Sequence, residues 1–180
     1  MACNITISGR GLQCKDALGG IKEVWIGQYS GTGQYAAPAA GAIADAAASG
    51  FQVDLFEMQQ GSSSFTQTVT ASTENGSVYY TQVLSLSFNK MLAIDVAQAF
   101  ELNRGRLTVI VVDKNDQYWV MGHKNGVEVT GGTFVSGQAV GDLNGMTIEL
   151  TAMELMAAPA LTTTTGGNIG WGEAPTPTEE

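Results

Sequence analysis

Alternating apolar and polar residues predict a chain built mainly of β-strands. Residues 65–73 and 77–88 alternate on either side of Glu74-Asn75-Gly76, and an Asn-Gly pair between two alternating runs is a strong hairpin signal. One face of the second run carries Val78, Tyr80, Gln82, Leu84, Leu86 and Phe88. Both runs exceed the usual strand of ~5–6 residues. The sequence therefore predicts one long β-hairpin at this point.

Further short segments have the composition and alternation of strands. They are residues 21–29, 51–57, 107–112, 117–122, 127–130 and 146–153. The polar turn 113–116 and the pair Asn125-Gly126 connect some of them as antiparallel neighbours. Hairpins that follow one another in this way are typical of an antiparallel β-sandwich or partial barrel.

Residues 90–104 are the one segment whose apolar residues have helical spacing. Leu92, Val96 and Phe100 fall at i, i+4 and i+8 and define an apolar face. Beside this face lie Ala93, Ala97 and Ala99, and the expected exposed positions are Asp95 and Glu101. The expected N-cap is Asn89, and the expected C-terminal stop is Gly105. We therefore expect one α-helix packed against the sheet.

The chain is expected to form a single β-rich domain over residues 1–161, followed by a tail. Within the domain, residues 30–50 are rich in Gly and Ala and fit either a short helix or a long ordered loop. Residues 162–180 contain Thr, Gly, Pro and Glu, a composition that cannot bury a core, so we expect a flexible acidic tail. Trp171 is the aromatic residue of that tail and is a candidate anchor on a neighbouring subunit.

Composition narrows the classes of function. The 180 residues include 17 acids and 8 bases, a net charge of −9. A protein surface that binds nucleic acid or anionic lipid needs clustered Lys and Arg. This charge balance therefore argues against both kinds of binding. The N-terminus lacks a basic segment followed by an apolar run, and no window approaches ~20 apolar residues. The sequence predicts a protein made in a cytoplasm, without a membrane span.

The two cysteines do not indicate a metal site. Cys3 and Cys14 are separated by ten residues and the chain has a single histidine, whereas a structural zinc site uses four ligands. Two readings stay open: a pair of reduced thiols, or a local disulfide formed in an oxidising medium.

One segment resembles a dinucleotide-binding fingerprint. Residues 31–36 match G-x-G-x-x-A after a predicted strand, and Asp54 follows about twenty residues later. Against this, Pro38 and Gly41 interrupt the place where the phosphate-binding helix would be. A small dinucleotide-binding enzyme is therefore the less favoured hypothesis, and we expect no cofactor.

The remaining polar residues do not form a recognisable catalytic motif. His123 lies in a predicted turn without a nucleophile partner. The carboxylate pairs Asp113/Asp116 and Glu149/Glu154 are explained as turn residues and a solvated strand face. We predict no catalytic residue and no metal ligand, and so a protein that is not an enzyme.

Two parts of the sequence resemble small virion structural proteins of tailed bacteriophages. The first is the opening, with 1–6 (MACNIT) and 12–26 (LQCKDALGGIKEVWI). The second comprises Gly122, Gly126, 130–132 (TGG) and 141–154 (GDLNGMTIELTAME). The order of elements is similar to the tail tube family, in which a small antiparallel sandwich carries a long hairpin and one helix. The Gly/Ala loop at 30–50 and the Thr-rich tail depart from the pattern of that family.

The resemblance implies a subunit that self-assembles into stacked rings, commonly hexamers, around a channel for the genome. It implies other virion proteins as partners, viral DNA that passes without specific binding, and a location in the virion after assembly in the host cytoplasm. Alternatives are a head–tail connector ring and a capsid decoration or fibre protein. The candidate assembly contacts are Phe65, Val69, Tyr79, Tyr80, Leu84 and Trp171.

Negative charge and long strands agree with that implication. An acidic channel lining repels phosphate, and open strand edges that would be a liability in a monomer become bonds between subunits in a ring. Three acids, Glu173, Glu179 and Glu180, lie in the tail, so the domain keeps 14 acids against 8 bases. The channel hypothesis depends on this smaller excess.

Overall fold

The computed structural model describes residues 9–12, 14–31, 35, 38–39, 41–43, 53–90 and 92–162. In chain order the elements are β1 (Ile21–Gln28), β2 (Ala42–Ile43), β3 (Val53–Glu57), β4 (Ser64–Ser72), β5 (Ser77–Asn89), α1 (Ala93–Leu102), β6 (Leu107–Asp113), β7 (Tyr118–Met121), β8 (Glu128–Val135), β9 (Gly145–Glu154) and β10 (Ala160–Leu161). The described chain is mainly β with one helix, so the predicted fold class is confirmed.

The strands form two sheets that share one core. A six-stranded sheet has the order β2-β10-β7-β6-β1-β3, and a four-stranded sheet has the order β4-β5-β9-β8. All pairings are antiparallel except that of β10 with β2. The backbones of Leu107 and Val127 exchange two hydrogen bonds of 2.8 Å, which join β6 to the start of β8. This isolated bridge links the two sheets, and β8 itself remains an edge strand of the four-stranded sheet.

The long hairpin forms where the sequence predicts it. β4 pairs with β5 from Phe65 opposite Leu84 to Ser72 opposite Ser77, and Gly76 in the connecting turn has a φ of 61°. A side chain disfavours this left-handed backbone, which is why the Asn-Gly pair is informative. The other predicted strands are also present, with ends shifted by a few residues; β8 is longer than the predicted 127–130.

The strand β6 is buried on both faces. Val109 and Val111 lie in the core between the sheets, whereas Ile110 belongs to a second cluster on the other face of the six-stranded sheet, with Tyr35 and Ile43. Two covered faces explain why this strand reads as an uninterrupted apolar run rather than an alternating one. Tyr35 thus covers this face, while β2 of the same Gly/Ala-rich segment joins the edge of the sheet. A short helix was one alternative for this segment, residues 30–50, of which 32–34, 36–37, 40 and 44–50 lie outside the described residues.

The predicted packing face of the helix is wrong. α1 buries Ala99, while Leu92, Val96 and Phe100 are 47%, 47% and 63% exposed. Ala99 belongs to the core cluster and Leu102 is partly buried against it, and the spacing of large apolar residues along the helix does not reveal that choice. Asn89 belongs to β5 and is not an N-cap. Among the described residues, no helical segment has the length and apolar character that crossing a bilayer requires.

Candidate assembly surface

The outward side of the four-stranded sheet is a surface of hydroxyl groups, which we call the hydroxyl face. Its members alternate with core residues along β4, β5, β8 and β9. They are Thr66, Thr68, Thr70, Thr81, Ser85, Ser87, Thr130, Thr133, Thr147 and Thr151. Hydroxyl pairs bridge β8 and β9, at 2.9 Å between Thr130 and Thr151 and 2.6 Å between Thr133 and Thr147. The face is therefore rich in uncharged polar groups, with Val83 and the 60% exposed Met153 as apolar members.

The charges of the four-stranded sheet have one sign. Its strands contain no Lys or Arg, and their acids are Glu128, Glu149 and Glu154. Glu128 pairs with Arg106 at 3.3 Å, and Glu154 is buried. Glu149 is exposed and has no ion pair among the described residues. The hydroxyl face thus offers phosphate groups no cation on its own strands, and Glu149 repels them.

Both edges of this sheet lack a strand partner within the described part of the chain. The edge strands are β4 and β8. Since each neighbouring pair in the order β4-β5-β9-β8 is antiparallel, β4 and β8 run in opposite directions. If the β8 edge of one copy met the β4 edge of the next, the two strands would be antiparallel, as in the rest of the sheet. Unpaired edges of this kind are ready templates for such pairing.

The hairpin extends beyond the sheet. β5 pairs with β9 only as far as Tyr80 opposite Glu154, and three residue pairs of the hairpin, from Thr70/Tyr79 to Ser72/Ser77, lie beyond that point. We call residues 69–79 the distal hairpin. Its apolar side chains Val69, Val78 and Tyr79 are 55%, 50% and 37% exposed.

The six predicted contact residues differ in their exposure to solvent. Val69 and Tyr79 are exposed on the distal hairpin, and Tyr80 is half-buried beside them. Phe65 is half-buried against the core cluster. Leu84 is a correction: it is 0% exposed in the core and is not available to a partner. Trp171 lies outside the described residues.

A buried polar cluster escaped the sequence analysis. Gln82 accepts the N–H of Gly122 through Oε1 at 3.0 Å, and Glu154 accepts the N–H groups of Lys124 and Asn125 at 2.9 and 2.7 Å. Both side chains point from the four-stranded sheet to the turn that precedes β8. A Gln on an otherwise apolar strand face was the one visible signal of this cluster.

The predicted carboxylate pairs have different environments. Asp113 accepts the N–H groups of Asn115 and Gln117 and so builds the β6–β7 turn. Its predicted partner Asp116 instead pairs with Lys22 at 3.0 Å, and this contact raises the pKa of the lysine. Asp113 and Asp116 are thus structural turn residues.

Glu149 and Glu154 lie on opposite faces of β9. Glu149 is exposed on the hydroxyl face, whereas Glu154 is 3% exposed on the core side. The expectation that both acids share a solvated strand face is therefore wrong for Glu154. The two side chains cannot act as a couple on one substrate.

The segments considered for cofactor binding do not have the required arrangement. β1 and β3, which carry the approach to Gly31 and the residue Asp54, pair antiparallel, whereas a dinucleotide fold has parallel strands there. Residues 32–34 lie outside the described residues.

The ring of His123 packs against the ring of Tyr35, with 5.9 Å between the two ring centroids. Burial raises the pKa of the Tyr35 hydroxyl, which shares a 2.6 Å hydrogen bond with Thr108.

The described residues contain no cluster of three or more His, Cys, Asp or Glu suited to a metal ion. Cys14 is an exposed free thiol, and Cys3 lies outside the described residues.

The search of family models, the search of curated proteins and the search of solved structures each return no match for this chain.

Proposed function

We propose that the protein is a structural subunit of a tailed-phage virion, most like a tail tube protein, which self-assembles into stacked rings around a DNA-conducting channel. The observation that carries the proposal is the hydroxyl face: a four-stranded sheet surface without a basic residue on its strands, flanked by two edges that have no strand partner in the described part of the chain. The sequence resemblance to phage virion proteins supports the same conclusion.

Ring formation follows from the edges. A contact between β8 of one copy and β4 of the next is heterologous, because it joins two different surfaces, and such contacts close into rings when the rotation per subunit allows. The four strands of each copy then form one continuous sheet. Backbone hydrogen bonds at every junction replace those that water makes to the free edges.

The hydroxyl face suits the inner surface of that ring. DNA must slide through a channel without stopping, and each phosphate neutralised by Lys or Arg adds affinity. Hydroxyl groups keep the channel wall hydrated, while the Glu149 carboxylate weakly repels the phosphates of DNA. Viral DNA is therefore a passing cargo rather than a specific ligand.

A head–tail connector ring is the second candidate, because the same edges close a ring that does not stack. A decoration or fibre protein is a third possibility within the virion. A small dinucleotide-binding enzyme belongs to a different class, and the antiparallel pairing of β1 with β3 gives it no support.

Negative-stain electron microscopy of the purified protein over a range of concentrations tests the proposal. Tubes are the expected result, and analytical ultracentrifugation measures the same assembly in solution. Single rings would favour the connector alternative. Monomers at every concentration would contradict self-assembly.

A further inference from the structure

The two ends of the four-stranded sheet expose apolar side chains on separate segments. At one end is the distal hairpin with Val69, Val78 and Tyr79. At the other end is the connection from Val135 to Gly145, residues 136–144, which we call the β8–β9 loop. A long hairpin tip and a loop at the far end of the same strands are well placed to meet in a linear array.

Hydrogen bonds within the β8–β9 loop hold it in a defined conformation. The Asp142 carboxylate accepts the N–H groups of Gln138 and Ala139 at 2.9 and 2.8 Å, and these bonds lower its pKa. Gly137 has a φ of 72°, which lets the chain turn at this point. The loop presents Val140 fully to solvent, at 108% exposure.

Three more exposed apolar residues lie near Val140 in sequence. They are Phe134, Val135 and Leu143, at 51%, 40% and 39% exposure, and they line one surface cavity beside the loop. Exposed apolar side chains that are grouped in this way mark an interaction site more often than scattered ones do.

Each end also has a charged residue that lacks an ion pair within the described residues, an acid at the hairpin and a base beside the loop; the loop's own acid, Asp142, is bonded by two backbone N–H groups. Glu74 is exposed in the turn of the distal hairpin. Lys90 follows the far end of β5 and is exposed, and its N–H donates to the Asn144 carbonyl of the β8–β9 loop at 2.6 Å. Both charges therefore lie at the ends of the same strand, one beside each apolar patch.

We propose that the distal hairpin of one copy docks on the β8–β9 loop of a second copy in the adjacent ring, with Glu74 facing Lys90. The inference rests on the proposed function and specifies its stacking contact. The occupant is a second copy because the chain itself carries both complementary ends, apolar with apolar and acid with base. A contact between opposite ends is heterologous and does not close on itself, so it propagates along an axis.

The proposal sets the scale of the spacing of rings. The 13 residues of β5 separate the two docking segments, which at ~3.3 Å per residue is about 43 Å. The hairpin turn and the β8–β9 loop add to this distance, whereas strand tilt and overlap of the ends shorten it, so we expect an axial repeat on the order of 40 Å.

Charge reversal gives a direct test. Glu74→Lys and Lys90→Glu each place like charges at the contact, and we expect rings that do not stack. When the two variants are mixed, every junction between unlike rings has opposite charges again, so tubes of alternating rings should return. Glu57→Lys, an exposed acid on β3, is the matched control and should form tubes like those of the wild type.

A second pair of variants tests the apolar part. Val140→Asp should abolish stacking, whereas Val96→Asp on the exposed face of α1 should leave it unchanged. Tube length in micrographs and sedimentation give the readout. If wild-type tubes form and the Glu74, Lys90 and Val140 variants stack equally well, the stacking contact is wrong while the proposed function stands. If the wild type forms neither rings nor tubes, the proposed function fails as well.

Discussion

The buried carboxylate of Glu154 accepts the backbone N–H of Asn125 at 2.7 Å. The Asn125 side chain in turn donates to the Met153 carbonyl at 2.8 Å. These bonds tie the end of β9 to the turn that leads into β8, a turn in which Gly126 donates to the Gly122 carbonyl. The strand that forms one free edge of the sheet is thus held at its start by a buried acid.

Removing this acid should destabilise the fold. We expect Glu154→Ala to lower the free energy of unfolding by about 2 kcal/mol, since hydrogen bonds to charged groups contribute ~1.5–3 kcal/mol. Glu154→Gln keeps one acceptor oxygen and should cost less. Urea denaturation of both variants measures the difference. Equal stability of the alanine variant and the wild type would show that the bonds contribute little.

Gly145 is a position where any side chain should be harmful. A Cβ added there would overlap the carbonyl oxygen of Phe88 on the neighbouring strand. We expect Gly145→Ala to cost about 3 kcal/mol, because a packed backbone cannot move aside without breaking the β5–β9 ladder. Gly141, which has open space around its Cβ position, is the control, and Gly141→Ala should stay within ~0.5 kcal/mol. Thermal or chemical unfolding distinguishes the two.

Leu84 and Val69 should respond differently to truncation. Leu84 is fully buried, and we expect Leu84→Ala to cost about 3 kcal/mol of folding stability through the cavity it leaves. Val69 is 55% exposed, so Val69→Ala should change the stability of the isolated subunit by less than ~0.5 kcal/mol. Unfolding measured below the assembly concentration provides the comparison. A large loss for Val69→Ala would contradict its exposed position.

A basic residue on the hydroxyl face should increase the affinity of the channel for DNA. We expect Glu149→Lys to leave tube formation intact but to raise the affinity of tubes for DNA by at least ~10-fold at low salt, with a steeper salt dependence. In an infection assay the same change should slow genome ejection. Glu57→Lys, off the four-stranded sheet, serves as control. Normal ejection by Glu149→Lys virions would argue against a lumenal hydroxyl face.

Acid should loosen the β8–β9 loop only at low pH. Backbone N–H groups of Ala139 and Gln138 stabilise the ionised Asp142 and lower its pKa. The stabilisation is therefore complete above the ordinary aspartate pKa of about 3.9 and is lost as the pH falls through the lowered value. NMR titration and amide exchange at residues 138 and 139 measure this. In Asp142→Asn the exchange should be faster at neutral pH and should lack the acid-dependent step.

Local sequence signals located most strands but not their exposure. The Asn75-Gly76 turn and the alternation around it were sufficient for the hairpin, because turn geometry and strand period are properties of a few adjacent residues. The helix was found for a similar reason. Its buried side was missed, since Ala99 rather than Phe100 faces the core, a choice that depends on how the helix sits on the sheets and not on the spacing of apolar residues within it.

The sequence by itself determined the β-rich class, the long hairpin, the apolar run of β6 and the excess of acid over base. Only the tertiary structure decided where the charges lie, which edges stay unpaired, and that Glu149 and Glu154 occupy opposite faces of β9. Strand order and packing depend on contacts between residues distant in sequence, and composition carries no record of those contacts. The absence of bases from the four-stranded sheet became visible only when its strands, separated along the chain, were brought side by side.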